Sequence, residues 1–236
     1  LAQFMKQQHL PSTLKLGVVQ TAYANGASTD YLKSTLHIPV IITKTGVKHL
    51  HHAAVHNFDV GIYFEANGHG TVIFGQKFYD ACSNHPVFSR IAKLINPAVG
   101  DAISDLLLVD LILKMSSRGD RANDGDSAGW TLQDWSTKLY DDLPSRQLKV
   151  KVKDRSVVKC NDNETKCIAP ESLQPALQKL MNAHPSYRCF VRASGTENVV
   201  RVYAEAPTRD EADTLASAAA RLVQEHCGGV EPLSAI

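Results

Sequence analysis

The sequence predicts a mixed, mainly parallel α/β domain followed by a smaller α+β domain with an antiparallel sheet. Three observations carry this. The first half alternates short apolar runs with helix-length segments, the layout of βαβ units. The second half places two strand-like runs, Arg188 to Arg192 and Val199 to Glu205, on either side of a short polar loop. An amphipathic helical pattern, Thr208 to Gln224, follows them. The boundary falls near residue 140, giving domains 1–140 and 141–236, because the second half opens at Pro144.

Taken in order, Leu16 to Thr21 is a Val-rich buried strand. Ser28 or Thr29 is expected to cap a helix running to about Leu36. Pro39 opens a second strand, Val40 to Thr43, followed by a helix from Gly46 to Asn57. Val60 to Phe64 and Thr71 to Phe74 are further strands, and helices follow at Val87–Ile95 and Asp101–Met115. Ser116 to Gly129 is polar, Gly-rich and without apolar periodicity, so it reads as a loop. Thr131 caps a short helix, with Asp134 taking the place of the usual Glu of a capping box. Gln147 to Val152 alternates as a strand, and Glu171 to Ala183 is a helix that tolerates Pro175 only in its first turn. In the last helix Ala212, Leu215, Ala219, Leu222 and Val223 share a face, and Gly228 lies just past its end.

A net charge of +1 argues against nucleic acid or an anionic membrane surface as the main partner. The most apolar stretch, Ala102 to Met115, is interrupted by Asp105, Asp110 and Lys114, so no transmembrane helix is expected. The five cysteines form no C-x-x-C pair and read as reduced thiols of a cytoplasmic protein. Nothing at the N-terminus has the layout of a signal peptide.

Two loops carry chemistry. In Arg192-Ala193-Ser194-Gly195-Thr196, with Arg201 beyond, two arginines flank small and hydroxyl residues. The N–H groups from Ala193 to Thr196 can form an anion nest, with Gly195 supplying the tight backbone. Planar guanidinium forks suit phosphate oxygens. The plainer alternative is a hairpin loop with solvated arginines. The second loop, Glu65-Ala66-Asn67-Gly68-His69-Gly70, follows a strand directly, where α/β sheets bind ligands. Glu65 can accept from two neighbouring sugar hydroxyls, and Asn67 offers both a donor and an acceptor. Its plainer alternative is an Asn-Gly turn, and for His69 a hydrogen-bonded structural imidazole. His49, His52 and His56 share a helical face, but no carboxylate or thiolate stands at ligand spacing, so no metal site is expected. Lys48 reads as a solvated lysine at a helix start.

The run from Arg192 to Ala206 resembles the phosphate-binding loop of the α-D-phosphohexomutases. Gly17 to Gly26, Thr43 to His52 and Phe64 to Thr71 resemble that family too, so the likeness reaches from about Leu14 to Pro207. It implies that the first domain recognises sugar and the second clamps phosphate, as in the third and fourth domains of a four-domain enzyme. It also implies substrate contacts from Glu65, Ala66, Asn67, Arg192, Ala193, Ser194, Gly195, Thr196 and Arg201, with Lys44 and His69 supporting catalysis. Many relatives have Ser where this chain has Asn67, a departure expected of the branch that handles N-acetylglucosamine. The implied reaction interconverts N-acetylglucosamine 6-phosphate and 1-phosphate on the way to UDP-N-acetylglucosamine. The alternative is a non-catalytic sugar-phosphate binding module.

The family's phosphoserine loop has no counterpart in this sequence. Its magnesium loop is Asp-Gly-Asp-x-Asp; Asp124-Gly125-Asp126 imitates it, but Ala128 stands where the third Asp belongs. Magnesium and the phosphoryl donor are therefore expected from N-terminal domains outside this chain, and the chain alone is expected to be inactive.

Overall fold

The computed structural model describes residues 1–96, 98–120 and 130–231. Its contacts divide the chain into two compact units. The first holds Leu1–Ala24 and Ser28–Asp141, the second Asn25–Ala27 and Asp142–Ile236.

The first unit runs α1 (Ala2–Gln7), β1 (Leu16–Thr21), β2 (Val40–Thr43), α2 (Val47–Asn57), β3 (Val60–Phe64), β4 (Gly70–Phe74), α3 (Gln76–Cys82), α4 (Phe88–Leu94), α5 (Ala102–Asp120) and α6 (Leu132–Lys138). The sheet order is β2-β1-β3-β4, parallel across the first three strands and antiparallel at β3–β4. Successive β1 residues serve opposite faces, as a pleated strand requires. Val18 joins Phe4, Met5, Ile62, Phe78, Phe88 and Ile112 on one side. Val19 joins Leu50, Ala54, Phe58 and Tyr63 on the other. Register partners Gly17 and Gly61 let α2 lie close on that second face. A Cβ at Gly17 would stand 2.0 Å from the Phe58 ring, and one at Gly61 2.8 Å from the Ala54 Cβ.

Between β1 and β2 the expected Ser28 or Thr29 cap does not form. The helical stretch starts at Gly26 and continues as a π-turn over Tyr31–Thr35. The hydroxyls serve the buried Gln20 instead. Its Nε2 donates to Ser28 Oγ at 3.2 Å, and Thr29 Oγ1 donates to its Oε1 at 2.8 Å. A buried amide is costly to leave unbonded, and that demand outweighs a cap. The loop expected from Ser116 is also corrected, because α5 continues to Asp120. Extending a formed helix costs little, even into polar residues. The remainder of that stretch, with Asp124 and Asp126, lies outside the described residues. Two helices, α1 and α3, lie where no element was expected. The capping box of α6 forms as expected, with Thr131 Oγ1 accepting from Asp134 N and Asp134 Oδ2 accepting from Thr131 N at 2.8 Å.

The second unit runs β5 (Ser145–Lys151), β6 (Lys159–Cys160), β7 (Cys167–Ala169), α7 (Leu173–Met181), β8 (Arg188–Ala193), β9 (Val199–Glu205) and α8 (Arg209–Cys227). An antiparallel sheet of order β5-β9-β8 packs α8 on one face through Ala212, Leu215, Ala216, Ala219 and Val223. Gly228, left-handed at φ 68°, ends that helix. The hairpin β6–β7 was not foreseen. Glu205, 1% exposed, pairs with Arg188 at 2.7 Å and accepts from Tyr203 Oη at 2.7 Å and from Gly26 N at 3.0 Å. All five cysteines are free. Among the described residues no helix is long and apolar enough to cross a membrane.

Candidate functional site

In the first unit, β2 and β3 flank β1, and the chain order reverses there; in such sheets the carboxyl ends of the strands at the reversal form a crevice. Thr21 and Thr43 are register partners at that edge, so the turns after β2 and β3 leave the sheet on the same side. Glu65 Oε1 accepts from Gly46 N at 2.8 Å and thereby ties the two turns together. Gly46 takes φ 125° at the head of α2, a conformation open to glycine but not to a side chain. The β3–β4 turn is fixed from within. Glu65 N donates to His69 O at 2.8 Å, Gly68 N to Glu65 O at 2.9 Å, and His69 N to Asn67 Oδ1 at 3.0 Å, with Gly68 at φ 89°. Glu65 is half-buried, while Ala66, Asn67, His69 and Lys44 are exposed. The structure thus presents one anchored carboxylate beside an exposed amide and imidazole. That set can hydrogen-bond a hydroxylated ligand.

Three of the four histidines of α2 make other contacts. His52 and His56 stack at 3.9 Å, His56 Nδ1 lies 2.7 Å from His52 O, and His51 Nδ1 lies 3.0 Å from Tyr63 Oη. Among the described residues no group of three or more His, Cys, Asp or Glu could hold a metal ion.

In the second unit, Arg192 and Arg201 are direct cross-strand partners, and Lys149 faces Arg201 from β5. Directly opposed residues share a sheet face, so three cations form a row beside the β8–β9 turn. Like charges so placed repel, and two carboxylates offset them. Glu164, on the turn between β6 and β7, makes an ion pair with Arg192 Nε at 3.1 Å. Glu197 lies 3.7 Å from Lys149, with both side chains more than half exposed, so water screens that pair. Arg155 Nη1 donates to Glu197 O at 3.2 Å and adds a further cation at the turn.

Within the turn Ser194 is buried, its N–H donates to Val199 O at 2.9 Å, and its Oγ faces Thr196 N at 3.5 Å. The nest is therefore narrower than the sequence suggested, because the Ser194 N–H is consumed inside the hairpin. Gly195 lies in the bend that joins β8 to β9. Its φ is not left-handed, and a Cβ there would meet nothing within 4 Å. Sequence reasoning missed Lys149, Arg155 and Glu164. Period-2 alternation along β5 carried a signal for Lys149; only the fold brings Arg155 and Glu164 to the turn. Burial pushes the Cys160 thiol up to about 12, with Cys167 and Glu164 adding to the rise and Arg192 opposing it.

The family model for phosphoacetylglucosamine mutase AMG1, domain III, matches residues 1–118. The chain belongs to the phosphoacetylglucosamine mutase family. The model for the phosphoglucomutase/phosphomannomutase C-terminal domain matches residues 186–222, which hold the β8–β9 turn. Phosphoacetylglucosamine mutase of Arabidopsis thaliana is 46% identical over 91% of this chain, and that of Homo sapiens 43% over 98%. The chain spans 39% and 42% of those relatives' lengths. Aspergillus fumigatus N-acetylphosphoglucosamine mutase, solved with GlcNAc-6P and magnesium, matches with a TM-score of 0.84 at 44% identity, over 96% of this chain and 42% of its own. An N-acetylglucosamine-phosphate mutase of the α-D-phosphohexomutase superfamily, solved in its substrate complex, gives a TM-score of 0.84 at 43% identity, over 94% of this chain and 42% of its own. The mixed sheet of the first unit and the antiparallel sheet of the second are therefore the family's α/β architecture.

Proposed function

We propose that this chain supplies the sugar-holding and phosphate-holding part of an enzyme that interconverts N-acetylglucosamine 6-phosphate and N-acetylglucosamine 1-phosphate for UDP-N-acetylglucosamine synthesis. The observation that carries the reading is the Arg192–Arg201–Lys149 row, three cations set side by side at one turn. Such opposition costs stability in the absence of an anion and suits a dianion when one binds. In this reading Arg192, Ala193, Ser194, Gly195, Thr196 and Arg201 hold the phosphate that is not reacting. Glu65, Ala66 and Asn67 hold the ring, with Asn67 addressing the N-acetyl group. Lys44 stands by the reacting phosphoryl group, where a point charge stabilises transferred negative charge, and His69 supports it.

The described residues offer no donor set that fits magnesium. Magnesium and the phosphoserine are assigned to N-terminal domains outside this chain, and magnesium would supply charge neutralisation at the transferring phosphoryl group. Residues 1–140 and 141–236 take the sugar and phosphate roles respectively. A cytoplasmic location belongs to the same proposal and rests on five free thiols.

The test titrates N-acetylglucosamine 6-phosphate into the chain and its Arg201→Ala variant, and assays both for isomerisation. Arg201→Ala should weaken binding about tenfold, the loss of one charge-assisted contact. Neither protein should turn the substrate over, since no phosphoryl donor is present. Equal affinities with the fold intact would reduce the arginine to a surface charge, and turnover by the chain alone would refute the division of labour.

A further inference from the structure

We infer that Glu164 is a positioning residue for phosphate binding: its carboxylate aims the Arg192 guanidinium at the β8–β9 turn. The inference rests on the phosphate reading above. Glu164 is a non-glycine residue held at φ 57°, in the left-handed region where side chains are disfavoured. Residues kept in such conformations persist only where the surrounding structure over-determines them, and they gather at ligand-binding sites.

The over-determination is visible here. Glu164 N donates to Asn161 O at 3.0 Å, and Asn161 Oδ1 accepts from Thr165 N at 3.0 Å and from Lys166 N at 2.9 Å. Thr165 Oγ1 donates to Asn163 Oδ1 at 2.6 Å. Those bonds hold the turn's shape, and the Glu164 side chain reaches Arg192 Nε at 3.1 Å. Both partners are largely withdrawn from water, at 16% exposure for Arg192 and 19% for Glu164, unlike the exposed Lys149–Glu197 pair on the same sheet. Arg192 faces the like charge of Arg201. Without a fixed counter-charge the guanidinium would swing away from Arg201, and an anion would first have to order it.

Positioning and simple charge balance predict opposite signs. Removing a carboxylate raises the positive charge of the site, so by Coulomb attraction alone phosphate would bind more tightly. If Glu164 positions Arg192, phosphate binds more weakly. Glu164→Gly is the informative variant, because glycine accepts the left-handed backbone without strain and the fold is not put at risk. Inorganic phosphate is titrated by NMR into the parent chain, Glu164→Gly, Glu164→Asn and Arg192→Ala. Asn also tolerates the left-handed region, so it serves if the glycine loosens the turn. The expected result is a roughly fivefold weaker affinity in both Glu164 variants, in line with the loss of one orienting charged contact. The Arg192 Nε–H resonance should also lose its distinct position before any phosphate is added. Unchanged or tighter phosphate binding in the Glu164 variants, with Arg192→Ala weakened, would overturn the positioning role. Unchanged binding in Arg192→Ala would overturn the phosphate reading itself.

Discussion

The turn after β3 and the turn between β8 and β9 are both short and polar, yet they are held in place by different means. The backbone of Glu65 to Gly70 is shaped mostly by its own atoms, through backbone hydrogen bonds, the Asn67 side chain and a left-handed Gly68, with the Glu65 carboxylate tied to Gly46 N. The arginines that flank Ser194 to Asn198 answer instead to charges remote in sequence, Glu164 on another turn against Arg192 and Lys149 on another strand opposite Arg201. A turn that fixes itself keeps its shape without a ligand. A turn balanced by distant charges can respond when an anion arrives. That difference suits the ring-holding and phosphate-holding roles proposed for the two units.

The same difference governs what could be read in the sequence. β1, β2, β3 and β9 occupy the residues their composition marks, and the Thr131–Asp134 box is a spacing rule made visible. The Glu65 loop was legible because its determinants are adjacent. The failures are long-range. Gln20 takes the Ser28 and Thr29 hydroxyls away from a cap, and Gly26 N–H finds Glu205, 179 positions along the chain. Glu164 carries no local mark of its role, because only the fold brings β6–β7 against β8.

Alkaline pH should separate the two units by the largest margin. In the second unit burial pushes Cys160 and Cys189 up to about 12 and Cys227 up to about 11. Tyr203 is pushed up to about 12 by burial and by the Glu205 carboxylate it donates to. Groups whose folded pKa is raised contribute stability that is complete below the unfolded value and is lost as pH rises through the folded one. The second unit should therefore hold to about pH 9 and unfold as pH 12 is approached. Burial also raises Tyr31, Tyr63 and Cys82 in the first unit. Trp130 and Trp135 both lie in the first unit, so tryptophan fluorescence should change later than the methyl NMR signals of Val191, Val202 and Val223. Simultaneous loss of both signals would mean that the two units unfold as one.

A pair of glycine substitutions sharpens the contrast between the turns. A Cβ at Gly70 would lie 2.1 Å from Tyr63 O and 2.6 Å from Phe64 Cα, both backbone atoms that cannot move without breaking the β3–β4 register. Gly70→Ala should cost about 3 kcal/mol, at the top of the usual overpacking range. Gly195→Ala meets nothing within 4 Å and should leave the melting temperature unchanged. If the open space at Gly195 is where the phosphate comes to lie, the added methyl group should nevertheless weaken phosphate binding. Thermal melts and phosphate titrations of both variants decide it. A destabilised Gly195→Ala, or one that binds phosphate as the parent does, would remove the distinction drawn between a structural and a functional glycine.

The smallest effect expected is at the acid end and belongs to the first unit. Asp134 sits in the α6 capping box, where the Thr131 N–H, the Thr131 hydroxyl and Lys138 hold its carboxyl down to about 2, from an ordinary 3.8. A depressed carboxylate contributes stability that is present above its unfolded pKa and is lost as pH falls through the folded one. The box should therefore stabilise α6 above about pH 4 and release it between there and about pH 2. Glu211 closes the matching box at the head of α8, and its carboxyl is lowered first by the Thr208 hydroxyl. The two boxes differ in what lies behind them. α6 has no fully buried residue, whereas α8 buries seven, from Ala212 to Cys227. Protonation should accordingly loosen α6 locally while α8 stays packed, and amide exchange at Trp135 and Ser136 should quicken below pH 4 before any change at Ala216 or Ala219. Asp134→Asn should remove that pH dependence, since asparagine can still accept from the Thr131 N–H but does not titrate. Should the acid response persist in Asp134→Asn, the loosening arises from another carboxylate and the box contributes no more to α6 than its geometry at neutral pH.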